Sequence, residues 1–228
     1  MPALKYTRDK NADIIYVSPS HMTRWGDVMS NKRRLELVEY SFNNNSTVIE
    51  DDYENDFLYN VKPTPALFTL GHGNVIYIGS FSAMLLPGIR ISFMVLNDKL
   101  TKLYNQNKYK FAQTASKTEQ IALCQYIRDG HINSQTRKIR RLYSNKTKDF
   151  YSILKKEFPN AQISISENTL QIIMSVKFDK DIEVFEKNSI SLFVEKYENG
   201  LITIVLSPSG IPSSKLLEGA KTLRKTIE

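Results

Sequence analysis

Four short apolar runs lie between residues 12 and 97, and each stops at a polar cluster. They are ADIIYVSPS (Ala12–Ser20), STVIEDDY (Ser46–Tyr53), NVIYIGSF (Asn74–Phe81) and GIRISFMVLN (Gly88–Asn97). Runs of this length, rich in Ile, Val, Tyr and Phe and bounded by turn residues, predict strands. Between the first two, KRRLELVEYSFNN (Lys32–Asn44) predicts a helix with Leu35, Leu37, Val38 and Phe42 near helical spacing, and the asparagines stop it. Strands separated by helical or turn segments predict an α/β layer structure with a largely parallel sheet. Functional groups in such sheets gather at the carboxyl ends of the strands. Ser18, Asp51, Asp52, Ser80 and Ser82 occupy such ends.

From Asp98 to about Lys156 the pattern is helical. KTEQIALCQYIRDGH (Lys117–His131) places Ile121, Cys124 and Ile127 on one face, so Cys124 is expected to be a buried, inert thiol, and Gly130 is a natural stop. The long basic stretch Gln135–Phe158 carries Ile139, Leu142 and Tyr143 as an apolar stripe. After Pro159 the texture becomes α+β: AQISIS, LQIIMSVKF and LITIVLS read as strands, and SSKLLEGAKTLRKTI as a closing helix. A second domain therefore begins inside the long helix, and the expected division is 1–135 and 136–228.

The 228 residues carry a net charge of +7, a moderate excess that solvated lysines account for. One cysteine excludes an internal disulfide. No apolar run approaches the roughly 18 residues that span a membrane, and the first residues lack a signal-peptide core, so a cytoplasmic protein is expected. His21, His72 and His131 lie far apart, with no His or Cys partner at metal-ligand spacing. No serine sits in a Gly-x-Ser-x-Gly elbow, and Gly71-His72-Gly73 is too short for a dinucleotide loop. The basic residues Arg137, Lys138, Arg140, Arg141, Lys146 and Lys148 could face phosphates, but they surround the apolar stripe as on any half-buried surface helix.

Two stretches carry chemistry of their own. In Glu50-Asp51-Asp52-Tyr53 a carboxylate buried at a strand end needs a positive partner or a donor, and a protonated ring nitrogen would serve; a loop of solvated acids is the alternative. YIGSFSAMLLPGIRIS (Tyr77–Ser92) has two serines and an arginine framed like a phosphate site, with Ala83 at its centre.

Taken together, these stretches resemble the aminotransferase-like domain of the MocR-type GntR regulators, which has the fold of the type I pyridoxal-phosphate (PLP) enzymes. YVSPSH (Tyr16–His21), IEDDYENDFLY (Ile49–Tyr59), IYIGSFSAMLLPGIRISFMV (Ile76–Val95) and RKIRRLY (Arg137–Tyr143) follow the family's motifs in order. The resemblance implies a partial large domain with a mostly parallel sheet, plus a small C-terminal α+β domain. It also implies a cofactor site: Asp51 at the pyridine nitrogen, Tyr53 at the phenolic oxygen, Ser80, Ser82 and Arg90 at the phosphate, and His21 in the adjoining wall.

The departures matter as much. Ala83 stands where the family has the lysine that bonds covalently to PLP. Met22-Thr23-Arg24-Trp25 replaces one cofactor wall, and Thr203-Ile204-Val205-Leu206 stands near the place of the arginine that clamps a substrate carboxylate. Family members run roughly twice this length, with a winged helix-turn-helix and the first half of the PLP domain ahead of the matching region. The implied function is a catalytically inactive effector and dimerisation domain, in part, of a transcription regulator. It would form a homodimer, meet a small-molecule effector, and reach DNA only through the winged helix that this chain lacks. The alternatives are a PLP-dependent aminotransferase fragment, or a lysine-dead mutant of one, and an isolated module that pairs with a full-length relative.

Overall fold

The computed structural model describes residues 12–22, 27–52, 64–71, 73–82, 84–85, 87–166 and 169–228. The chain divides into two compact units, Met1–Arg137 and Lys138–Glu228.

In the first unit a sheet of order β1-β2-β3-β4 is formed by Ile14–Val17, Thr47–Asp51, Val75–Ser80 and Ser92–Val95. The pairings β1–β2 and β2–β3 are parallel, with Tyr16 beside Ile49 and Asp51 beside Ile78. The sheet is thus mostly parallel, as expected, but β4 returns antiparallel against β3, with Ser80 opposite Ser92. The short link through the turn Pro87–Ile89 leaves no room for the dozen or more residues of a parallel crossover. Helix α1 (Asn31–Asn43) covers one face of the sheet, and the one-turn helix α2 (Leu67–Leu70) packs beside it. Ile15, Leu37, Val38, Tyr40, Val48, Leu67 and Val75 form the core there.

Strand alternation decides which face each residue meets. Val48, Glu50 and Asp52 are buried, whereas Thr47, Ile49 and Asp51 point to the other side. That second face is open towards the sheet edges, where Ile14 is 64% exposed, Tyr16 60% and Met94 57%, while Ile76 is buried at its centre. The first run is therefore a one-faced strand. In α1 the expected inward residues Leu35 and Phe42 are exposed, and Arg34, Tyr40 and Ser41 are buried in their place.

Helices α3 (Asp98–Asn107) and α4 (Lys117–Arg128) follow. Asn97 caps α3 by accepting the Leu100 N–H at 2.9 Å. No residue of α3 is buried, and Leu123 alone is buried in α4. The helical face was correctly expected, its burial was not: Ile121 is 72% exposed and Cys124 is exposed. Gly130 ends the segment with φ 74°, and its N–H donates to the Ile127 carbonyl.

Helix α5 (His131–Glu157) runs 27 residues. Its buried side chains are Thr147, Phe150 and Leu154, all in the second unit, while Leu142 of the expected stripe is exposed. The second unit holds an antiparallel sheet of order β5-β6-β8-β7: Gln162–Ile165, Ile172–Lys177, Leu201–Leu206 and Phe193–Glu198. Helix α5, the short α6 (Glu183–Lys187) and α7 (Leu216–Ile227) close a core around Leu154, Ile172, Met174, Ile202, Ile204 and Leu223. Strand β7 and helix α6 lay outside the sequence expectation. No helix among the described residues is long and apolar enough to cross a membrane.

Candidate functional site

The carboxyl ends of β1, β2 and β3 lie side by side, because the three strands are parallel. They bring together the turn Ser18–His21, the acids of β2 and the serines after β3. His21 is half-buried, and its N–H donates to the Ser18 carbonyl at 3.1 Å.

Asp51 is half-buried on the open face, where the Tyr16 hydroxyl donates to its Oδ2. Two positions beyond its neighbour Ile78 on the same face stands Ser80. Ser80 Oγ accepts the Ser82 N–H at 3.2 Å, and the Phe81 N–H donates to the Ile91 carbonyl at 3.0 Å. The loop is thereby pinned at its mouth, and Arg90 precedes Ile91 on its returning arm. Arg90 is exposed and has φ 47°, a left-handed conformation that a branched or bulky residue seldom adopts. Tyr53 and Ala83 lie outside the described residues, as does His72.

The opposite face of β2 holds a buried ionic cluster that composition did not reveal. Arg34 Nη1 lies 3.7 Å from Glu50 Oε1, and both side chains are 1% exposed. Arg34 also donates from Nε to the Met29 carbonyl and from Nη1 to the Pro65 carbonyl, each at 3.1 Å. Glu50 accepts the backbone N–H groups of Leu67 and Phe68 at 2.8 and 2.9 Å. Asp52 accepts from the Tyr77 hydroxyl at 2.9 Å. Burial pushes the Glu50 carboxyl up, opposed by the two backbone donors, and nearby Asp52 adds to the rise while Arg34 works against it. Burial likewise pulls the Arg34 guanidinium down against the pull of Glu50 and Asp52. Arg34 thus ties the approach to α1, strand β2 and the approach to α2 into one unit, and this fixes the strand that presents Asp51. The three acids of Glu50-Asp51-Asp52 are therefore not a solvated loop; they alternate between a structural cluster and the open face.

No family profile matches the chain. Among known proteins it is 30% identical over 227 residues to the uncharacterised HTH-type transcriptional regulator YdeL of Bacillus subtilis, covering 95% of this chain and 49% of that one. It is 27% identical over 228 residues to the probable rhizopine catabolism regulatory protein MocR of Rhizobium meliloti, covering 94% and 45%. The chain belongs with the MocR-type GntR regulators. It spans about half the length of these curated relatives and corresponds to the C-terminal part of their aminotransferase-like domain. Solved structures agree on the fold. The multiple substrate aminotransferase of Thermococcus profundus superposes with a TM-score of 0.75 at 22% identity, over 98% of this chain and 59% of that one. The α-aminoadipate aminotransferase LysN of Thermus thermophilus gives 0.75 at 22%, over 99% and 61%. The MocR-type chain is thus a partial fold type I PLP-transferase domain.

The donor set of this MocR-type chain fits the cofactor of that fold. A carboxylate on the open face suits a protonated ring nitrogen, and two hydroxyls with a guanidinium on one pinned loop suit a phosphate. The same loop also has a structural reason to exist, since Ser80 satisfies the Ser82 N–H. Sequence inspection missed Tyr16, Arg34 and Glu50. A period-two count along β2 would have separated Glu50 and Asp52 from Asp51, but only the strand register joins Tyr16 to Asp51.

Proposed function

We propose that the chain is part of the effector and dimerisation domain of a MocR-type transcription regulator, one that holds a PLP-like ligand without bonding to it. What supports this reading is the sequence itself, with Ala83 where the resemblance puts the lysine and Asp51, Tyr53, Ser80, Ser82 and Arg90 where it puts the other polar residues. Asp51 would accept a hydrogen bond from the protonated ring nitrogen, Tyr53 would reach the phenolic oxygen, and His21 would stand at the adjoining wall. Ser80, Ser82 and Arg90 would donate to the phosphate, with Arg90 supplying the charge. PLP, when bound to an enzyme of this fold, withdraws electrons from the carbon of an amine substrate. An alanine methyl offers neither a nucleophile to hold the aldehyde nor a base to move a proton. Binding would then report ligand presence, and the relatives' helix-turn-helix would carry the DNA contact. A homodimer in the cytoplasm is the setting that the resemblance implies.

Borohydride reduction after PLP addition, followed by peptide mapping, tests the loss of chemistry. Scattered labelling of surface lysines is expected. One stoichiometric adduct at a single lysine near the strand ends would overturn it. Ala83→Lys should not yield transamination of common amino acids, because Thr203-Ile204-Val205-Leu206 stands near the place where the resemblance puts the substrate-carboxylate arginine. Turnover by that single variant would favour a lysine-dead aminotransferase instead.

A further inference from the structure

We propose that Tyr16 is a positioning residue: its hydroxyl fixes the carboxylate of Asp51, the acceptor that the ligand reading assigns to a ring N–H. The inference rests on the ligand reading above and deepens it.

Tyr16 and Asp51 lie on adjacent parallel strands and share the open face of the sheet, since Tyr16 pairs with Ile49 and Asp51 stands two residues beyond Ile49. The phenol hydroxyl donates to Oδ2. No other hydrogen-bond partner of the Asp51 side chain lies among the described residues. One carboxylate oxygen is therefore tied and its rotation fixed, while Oδ1 remains as an acceptor. An acceptor binds a ring nitrogen only when that nitrogen carries a proton; a bare ring nitrogen is itself an acceptor, and a ring C–H is a poor donor. Strand β2 cannot shift to accommodate another geometry, because Glu50, the preceding residue, is held by Arg34 and by two backbone N–H groups on the opposite face. Tyr16 stands on edge strand β1 and is 60% exposed, so removing its hydroxyl should leave the fold intact.

The test uses pyridoxine 5′-phosphate, which lacks the aldehyde and cannot label lysines, and its carbocyclic analogue with C–H in place of the ring nitrogen. Calorimetry on the full chain measures both affinities. The wild type should prefer the pyridine ligand by about tenfold or more, the range of one hydrogen bond to a charged group. Tyr16→Phe should cut that preference by about threefold to tenfold and leave the carbocycle's affinity unchanged. Asp51→Asn should bring the ratio to about one. An unchanged ratio in Tyr16→Phe, or equal weakening of both ligands, would overturn the positioning role. Wild-type binding of both ligands with a ratio near one would sink the proposal and leave the ligand reading standing. Failure to bind either would remove both.

Discussion

Arg34 illustrates how one residue can hold a site that it does not touch. Its guanidinium is fully enclosed yet bonds to two carbonyls and a carboxylate, while Nη2 and Asp52 Oδ1 have no hydrogen-bond partner among the described residues. Removing one partner of a buried pair leaves the other charge unpaired. Arg34→Met should therefore destabilise the chain by about 3–5 kcal/mol in urea denaturation. A loss below about 1 kcal/mol would mean that the pair is exchanged for water at no cost. Glu50 adds a pH dependence whose sign follows from its raised carboxyl. The folded state keeps the Glu50 proton to higher pH than the unfolded chain does. Its contribution is thus fully present below the ordinary glutamate range and is lost as pH rises through the elevated value. Glu50→Gln should remove this part of the decline, so the stability difference between wild type and variant should change as pH rises upward from the ordinary glutamate range; a constant difference would contradict it.

Helices α3 and α4 and the link between them carry apolar side chains that are almost all uncovered, Leu123 being the one buried. Leu103, Tyr104, Tyr109, Phe111, Ile121 and Ile127 are exposed, and Tyr104 stacks on Phe111 with ring centroids 5.9 Å apart. A 10-residue helix that buries nothing is marginal in water. The backbone amides of α3 should exchange rapidly at high dilution and gain protection as concentration rises. Concentration-independent exchange would argue that these helices are not an association surface. The same elements show what the sequence could and could not disclose. β1–β3 were legible because β-branched runs are short and bounded by turns. The direction of β4 was not, since SFMV is equally apolar either way and only its short link decides. Periodicity found the face of Ile121, Cys124 and Ile127 but says nothing of what covers it. Strand β7, FVEKYE, escaped notice because an edge strand can carry Glu195, Lys196 and Glu198 without losing its pairing. In the site, Asp51 was legible through motif resemblance, whereas its bond to Tyr16 depends on a partner 35 residues away.

At the scale of the whole molecule, the two sheets differ in how they treat their edges. In the second unit β7 is charged and bulged between Val194 and Lys196, devices that discourage pairing with another chain. In the first, the edges β1 (IIYV) and β4 (SFMV) carry no charge, and Ile14 and Met94 stand exposed on the open face. Such a surface is unusual for a monomer, so sedimentation over a dilution series should reveal self-association, with binding of an apolar dye that falls as association proceeds. A compact monomer at every concentration, free of dye binding, would contradict this. The antiparallel return of β4 has a further consequence, for the order in which the chain assembles. Ser80 meets Ser92 only 12 positions on, whereas Ile14 must find Thr47 across 33 and Val48 must find Val75 across 27. Shorter closures cost less entropy and are made sooner. The β3–β4 hairpin should thus gain amide protection first in pulse-labelled refolding, ahead of β1–β2. The loop bearing Ser80, Ser82 and Arg90 would then be shaped before the strand carrying Asp51 arrives beside it, so the half of the site proposed to meet an anion would be a local product of the chain and the half proposed to meet a ring a late, long-range one.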